Sequence, residues 1–136
     1  MSDTKAKGIN FMKYLREGNP VAEVVEKYDY INCPIMGVTF DPKRIEGQEK
    51  LVAGQQLFLE LEPHNKYDPF AIKVLDKDKQ MLGYIPKELA CHIPDINFYK
   101  VVVLEPYVPI QGSIQNWGAT VRLIKTSFLK AHANNN

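Results

Sequence analysis

The feature that most constrains the fold is a series of short segments whose apolar residues recur at every second position. The clearest spans residues 56–62, where three leucines alternate with one phenylalanine and two glutamates. Such alternation predicts a strand with one buried face. Further strand candidates, separated by Pro, Gly, Asn and Asp turns, span residues 33–40, 71–76, 81–85, 99–104 and 118–124. Short strands with turns about every ten residues predict a small antiparallel OB-like β-barrel.

Helical patterns are short and lie mainly before the strands. Residues 8–17 and 19–27 predict two N-terminal helices, the second beginning at Asn19 and Pro20 and carrying three valines on one face. Residues 87–92, between two prolines, predict one or two further helical turns. The predicted organisation is an N-terminal helical extension (1–30), a β-barrel (31–125) and a C-terminal tail (126–136).

Composition indicates one ordinary globular domain. The 136 residues carry a formal net charge of +1, so a bulk basic excess does not point to nucleic acid. The polar start lacks a signal-peptide pattern, and no apolar run approaches the roughly 20 residues of a membrane span, so we expect a cytoplasmic protein without a membrane partner. Cys33 and Cys91 are then expected to be free thiols in a reducing compartment, and buried.

Motifs for catalysis are missing from the sequence. It has no phosphate-binding loop ending in Gly-Lys-Ser/Thr, no GxSxG and no HExxH motif. The candidate zinc ligands lack the close pairing of structural zinc sites, and they are Cys33, His64, Cys91 and His92. The sequence therefore predicts a binding protein without a cofactor or a metal, and not an enzyme.

The most informative segment joins two predicted strands at residues 62–74 and reads EPHNKYDPFAIKV. Asn65 and Asp68 can accept hydrogen bonds from nearby backbone N–H groups and stiffen the connection, which would present Tyr67 on a rigid turn. With Lys73 and Lys87 nearby, an aromatic face flanked by cations is typical of single-stranded nucleic-acid binding. In the alternative interpretation, Tyr67 covers the core and Asp68 only caps the turn.

The same segment resembles the HIRAN domain family. The family pattern combines a Gly-containing first strand, an acidic-Pro-x-Asn-x-Tyr-Asp run followed by Ala-Ile-x-Val, and a closing Gly-Tyr/His-Ile/Leu-Pro. The matching segments are residues 35–44, 57–62, 62–74 and 82–90. The resemblance covers roughly residues 31–125, and it implies a β-barrel related to the OB-fold.

The resemblance also implies a function and a set of site residues. In helicase-like DNA remodellers, this domain captures single-stranded DNA at a 3′ end, which suggests a role in DNA repair. The Tyr-Asp pair falls on Tyr67 and Asp68, and the first-strand pair that is Arg-aromatic in 3′-end binders is Thr39-Phe40 here. Phe40 keeps an aromatic face, and Arg44 is a candidate replacement for the missing guanidinium. The predicted nucleic-acid site comprises Phe40, Arg44, Tyr67, Asp68, Lys73, Tyr84 and Lys87.

Two functions from different classes remain open. The first is binding of single-stranded DNA or DNA 3′ ends without catalysis. The second is a protein-interaction adaptor whose barrel groove holds a peptide, with residues 8–27 as a docking element. The surface around Tyr67 discriminates between them, because a positive groove favours DNA and a neutral apolar groove favours a protein partner.

Overall fold

The chain folds into a closed barrel of six antiparallel strands. The structure is a computed structural model and describes residues 5–109 and 116–133. Its strands are β1 (Gly8–Asn10), β2 (Tyr30–Met36), β3 (Gln56–Leu61), β4 (Ile72–Leu75), β5 (Met81–Tyr84), β6 (Tyr99–Glu105) and β7 (Trp117–Lys125). The ring runs β2–β5–β4–β3–β6–β7, and β7 pairs back with β2. The predicted antiparallel β-barrel is therefore confirmed.

Strand β1 lies outside this ring and pairs in parallel with β2. Strand β2 pairs with β5 only at Met36, which faces Tyr84. Along the same edge of β2, the residues from Tyr30 to Asn32 pair with β1 instead. The N-terminal segment therefore contributes to the sheet. The domain boundaries at residues 31 and 125 stay a prediction.

The barrel interior is apolar and follows the period of two. Ile31, Cys33 and Ile35 point inward from β2, and Val121 and Leu123 do so from the facing β7. Burying a side chain of this size stabilises the fold by about 1.5–3 kcal/mol relative to leaving it exposed. Burial also raises the pKa of the Cys33 thiol to about 12, so this thiol stays protonated and inert.

The helices are short and lie between strands, apart from the last one, which follows β7. They are α1 (Phe11–Arg16), α2 (Val24–Lys27), α3 (Pro42–Glu49), α4 (Lys87–Ala90) and α5 (Thr126–His132). Single 3-10 turns at Val21–Glu23, Val38–Phe40 and Ile96–Phe98 precede α2, α3 and β6. None of the helices in the described part of the chain is long and apolar enough to cross a membrane.

The two ends of the chain differ in detail from the sequence expectations. The second N-terminal helix begins at Val21 and not at Pro20, whose backbone is extended with ψ 118°. Val24 and Val25 are buried, as the valine stripe predicts. The segment predicted as a C-terminal tail contains α5, and residues 134–136 lie outside the described residues.

The predicted strand over residues 33–40 is wrong beyond Met36. Gly37 takes the left-handed conformation, with φ 72°, which ends β2 and turns the chain into the 3-10 turn. Asp41 then caps α3 by accepting a hydrogen bond from the Lys43 backbone N–H at 3.0 Å, with Pro42 in the first turn. This helix, which the sequence analysis does not predict, carries Arg44.

Candidate nucleic-acid interface

The turn at Gly37 brings three predicted site residues together. A Cβ built on Gly37 would lie 3.5 Å from Arg44 Nη1, 3.5 Å from Tyr84 Cδ2 and 3.6 Å from Phe40 Cδ2. Arg44 Nη1 donates a hydrogen bond to the Gly37 carbonyl at 2.7 Å, and Arg44 Cζ lies 5.4 Å from the Tyr84 ring centroid. The Phe40 side chain beside them is 78% exposed. The turn thus presents an aromatic face next to a guanidinium.

Glu62 connects this cluster to the loop that follows β3. Its Oε1 accepts hydrogen bonds from the Tyr84 hydroxyl at 2.7 Å and from Asn65 Nδ2 at 2.6 Å. Partial burial raises the pKa of Glu62, but these two hydrogen bonds and the charges of Lys73 and Arg44 outweigh it and lower the pKa overall. The carboxylate is therefore ionised at neutral pH and surrounded by compensating groups.

The loop after β3 holds Tyr67 out into solvent. Asn65 Oδ1 accepts hydrogen bonds from the backbone N–H groups of Tyr67 at 2.8 Å and Asp68 at 3.0 Å. Asp68 Oδ1 accepts one from the Phe70 N–H at 2.9 Å. The Tyr67 side chain is 87% exposed, and Lys66 Nζ lies 5.2 Å from its ring centroid. The alternative in which Tyr67 covers the core is therefore wrong, whereas Asp68 does cap the turn.

The two predicted lysines differ in their surroundings. Lys73 Nζ lies 2.7 Å from Glu60 Oε1 and 3.7 Å from Glu62 Oε2, and the hydrogen bond to Glu60 is the main cause of its raised pKa. Lys87 is exposed at the start of α4, three residues after Tyr84, and forms no ion pair within the described ranges. The structure therefore places Lys73 against carboxylates and Lys87 in solvent.

We call Phe40, Arg44, Tyr67 and Tyr84 the aromatic surface. Glu62 and Asn65 lie in the motif that the sequence analysis singles out, but their role as its connectors emerges only from the hydrogen bonds. Trp117 is not part of the predicted site but borders the aromatic surface. It faces Met36 where β7 pairs with β2. Thr39 Oγ1 also donates a hydrogen bond at 3.0 Å to Oδ1 of Asn116, the residue before Trp117. No sequence pattern indicates that Trp117 lies next to the aromatic surface, because the residues involved are far apart in the chain.

The described residues offer no set of side chains that could bind a metal ion. Residues 5–109 and 116–133 contain no group of three or more His, Cys, Asp or Glu side chains placed to hold an ion. Cys91 is exposed, so the expectation that both cysteines are buried is wrong for this one. Its position just after α4 removes it from the barrel interior.

Comparison with known proteins places the chain within a family. The barrel and its surface define a small antiparallel β-barrel domain with exposed aromatic and cationic groups. A family model described as the HIRAN domain matches residues 28–96, and the chain belongs to this family. The matched region contains every residue of the aromatic surface, and strands β6 and β7 that close the barrel lie beyond it.

Solved structures with a similar fold include HIRAN domains. The crystal structure of the HIRAN domain of human HLTF is 22% identical, covering 75% of this chain and 81% of that chain with a TM-score of 0.48. A crystal structure of a Lactobacillus plantarum protein is 18% identical, covering 71% and 92% with a TM-score of 0.46. An NMR structure of the HLTF HIRAN domain in its DNA-bound conformation is 23% identical, covering 78% and 84% with a TM-score of 0.44. No curated protein matches the chain.

Proposed function

We propose that this protein binds single-stranded DNA at a 3′ end through the aromatic surface, without catalysing a reaction. The observation that carries the proposal is a pair of exposed aromatic side chains near the Arg44–Tyr84 pair. Phe40 lies beside that pair, and Tyr67 projects from the loop that Asn65 and Glu62 connect to the Tyr84 hydroxyl. Aromatic faces accept stacked bases, and the cations between them neutralise phosphates. Membership of the HIRAN family, one of whose domains has been solved in a DNA-bound conformation, supports the same ligand.

The carboxylates near the surface are compatible with a polyanion. Lys73 pairs with Glu60 and Glu62 and balances one of their two charges, while the charge of Arg44 also acts on Glu62. The Tyr84 hydroxyl and the Asn65 amide occupy one oxygen of Glu62. This task for Lys73 differs from the phosphate contact predicted from the sequence, which stays a prediction. Arg44 beside Tyr84 and Lys66 beside Tyr67 then provide positive charge at the stacking faces, and Lys87, three residues after Tyr84, adds a further exposed cation. This charge favours DNA over a neutral peptide.

Arg44 takes the role that the Arg of the family pattern has in the first strand. Thr39 occupies that position here, and its hydroxyl is engaged with Asn116. A guanidinium has five N–H donors, and in the described part of the chain Arg44 uses one of them for the Gly37 carbonyl. Its Nε is buried without a partner in the described part of the chain, so only the remaining N–H groups of the two terminal nitrogens can bind a phosphate. Because Thr39 replaces the Arg of the family pattern, we expect an affinity in the micromolar range or weaker, and Thr39→Arg should tighten it.

A titration at low ionic strength tests the proposal. Fluorescently labelled oligonucleotides with a free 3′ end, a 3′ phosphate and a duplex end are compared, and the free single strand should bind most tightly. Tyr67→Ala and Phe40→Ala should each cost about 1–3 kcal/mol, the usual effect of losing one stacked base. Phe98→Ala is the matched control, because Phe98 is also a partly exposed aromatic residue but lies beside α5.

Recognition of the 3′ end is tested separately through Asp68. An asparagine at this position retains one oxygen that can accept the Phe70 N–H, so Asp68→Asn keeps the turn. It removes the negative charge and replaces the second carboxylate oxygen with an NH2 donor. If the carboxylate accepts a hydrogen bond from a terminal 3′ hydroxyl, the variant loses its preference for a free over a phosphorylated end. Unchanged preference with weaker total binding would limit the proposal to single strands in general.

Absence of salt-dependent binding to any single strand would refute the DNA proposal. The adaptor function would then become the leading hypothesis, since the same exposed aromatic residues could contact a peptide. In that case, Tyr67→Ala and Phe40→Ala should weaken the capture of a protein partner at high salt as well as at low salt.

A further inference from the structure

A second groove lies next to the aromatic surface, between α1 and the outer side of the β2–β7 pair. It has a volume of about 330 Å³. Met12 and Arg16 line it from α1, Pro34 and Met36 form its floor on β2, and Trp117 stands at one end. The groove therefore combines an apolar floor, a partly exposed indole and a single guanidinium. Of the residues that line it, only Met36 lies in the segments that match the family motif, and none belongs to the predicted site.

The groove begins where the aromatic surface ends. Met36 faces both Tyr84 on β5 and Trp117 on β7, so one residue separates the two regions. From Met36 the floor continues along β2 to Asn32, and these four residue steps span about 13 Å at 3.3 Å per residue. Asn32 and Thr120 add an amide and a hydroxyl to the floor. Arg122 Nε donates to Asn32 Oδ1 at 2.9 Å, so the Asn32 NH2 group and the Thr120 hydroxyl are the groups that can hydrogen-bond to base edges.

The charge in the groove distinguishes it from the depression on the other side of α1. Within residues 5–109 and 116–133, Arg16 is the one charged residue that lines the groove, and its side chain is exposed. The other depression is lined by two cations and two acids, which are Lys13, Lys27, Glu17 and Glu23. A polyanion leaving the aromatic surface thus meets a net positive charge in the groove and a balanced charge in the depression.

We propose that this groove binds the nucleotides of the same DNA strand that lie on the 5′ side of the terminal ones, with Arg16 contacting a phosphate. This inference rests on the proposed function, because it extends the path of a strand whose end lies on the aromatic surface. It assigns a nucleic-acid contact to the N-terminal segment, which lies outside the family match apart from its last residues.

The test compares a trinucleotide with an octanucleotide, both with a free 3′ end, by titration at low salt. The octanucleotide should bind more tightly and should quench the fluorescence of Trp117, the single tryptophan of the chain, more strongly. Arg16→Ala should reduce octanucleotide affinity about tenfold, the effect of losing one hydrogen bond to a charged group. It should leave trinucleotide affinity unchanged.

Lys13→Ala is the matched control, because it removes one positive charge from the same helix on the side away from the groove. For the octanucleotide, Arg16→Ala should reduce the slope of log affinity against log salt by about 0.7, the value for one phosphate on a single strand. Lys13→Ala should retain the wild-type slope, and Arg16→Lys should retain most of it. Circular dichroism of each variant checks that α1 is still folded.

The outcomes separate this inference from the proposed function. If the trinucleotide binds but length adds no affinity, or if Arg16→Ala behaves like Lys13→Ala, the groove is not part of the path and the proposed function stands. If neither oligonucleotide binds the wild-type protein, the proposed function fails and this inference fails with it. A length dependence that is lost only in Arg16→Ala supports the inference.

Discussion

Replacing Gln48 with leucine should strongly destabilise the barrel. Gln48 lies in α3, is 1% exposed and joins two strands, because Nε2 donates to the Leu82 carbonyl at 3.1 Å and Oε1 accepts from the Ala119 N–H at 2.8 Å. A leucine leaves both backbone groups buried without a partner, at about 1–3 kcal/mol each. Its greater apolar surface offsets about 1 kcal/mol, so the free energy of unfolding should fall by roughly 1–5 kcal/mol.

Urea denaturation followed by circular dichroism measures this loss. Glu49→Leu is the matched control, since it places the same side chain at the adjacent, exposed position of α3 and should change stability by less than about 0.5 kcal/mol. Gly118→Ala provides an independent perturbation, because a Cβ there would overlap the Gln48 amide. Its cost should be smaller in a Gln48→Ala background, where the amide is gone.

The effect of Gln48 should extend to ligand binding, because α3 also carries Arg44. A Gln48→Leu protein that remains folded should bind single-stranded DNA more weakly than the Glu49→Leu control. If Gln48→Leu instead unfolds within about 0.5 kcal/mol of the wild type, the two hydrogen bonds do not hold α3 on the barrel and the reasoning is wrong.

Three further predictions concern stability. The lowered pKa of Glu62 stabilises the fold fully above the unfolded pKa of about 4.3 and loses this contribution as pH falls through the folded pKa. Glu62→Gln should therefore destabilise the protein at pH 7, and the difference in urea midpoint should shrink in acid; a constant difference would contradict this. Burial raises the pKa of Tyr99 to about 12, and the Tyr99 hydroxyl has no hydrogen-bond partner within residues 5–109 and 116–133. Tyr99→Phe should therefore leave the free energy of unfolding unchanged or raise it by about 1 kcal/mol. A loss above 1 kcal/mol would show that the hydroxyl is paired. Phe11→Ala should cost about 3–5 kcal/mol because Phe11 is fully buried in the barrel core, and an unchanged midpoint would show that the N-terminal segment is not docked.

Local sequence patterns determined the strand positions and the geometry of the loop after β3. Alternation places β3 to β7 within one or two residues of the predicted ranges, since the period of side chains along a strand is a local property. The loop is also local, because Asn65 and Asp68 accept hydrogen bonds from N–H groups two or three residues away. The exposure of Tyr67 follows from that loop.

Burial along a strand depends on partners that periodicity does not specify. Leu57 and Leu61 share one face of β3, yet Leu57 is buried and Leu61 is 55% exposed. Strand β3 pairs with β6 only at Gln56 and Leu57, so it continues beyond its neighbour. An alternating pattern thus predicts which face a residue takes, but the length of the adjacent strand decides whether that face is covered.

Tertiary structure alone decided how the candidate site is assembled. The end of β2 at Gly37 and the start of α3 place Arg44 against Tyr84, although 40 residues of sequence separate them. Lys73 looks like a free cation in the sequence, but strand pairing sets it opposite Glu60. Trp117 reaches the rim of the site through the pairing of β7 with β2. These outcomes depend on which distant segments meet when the ring closes, and a short window of sequence carries no information about that choice.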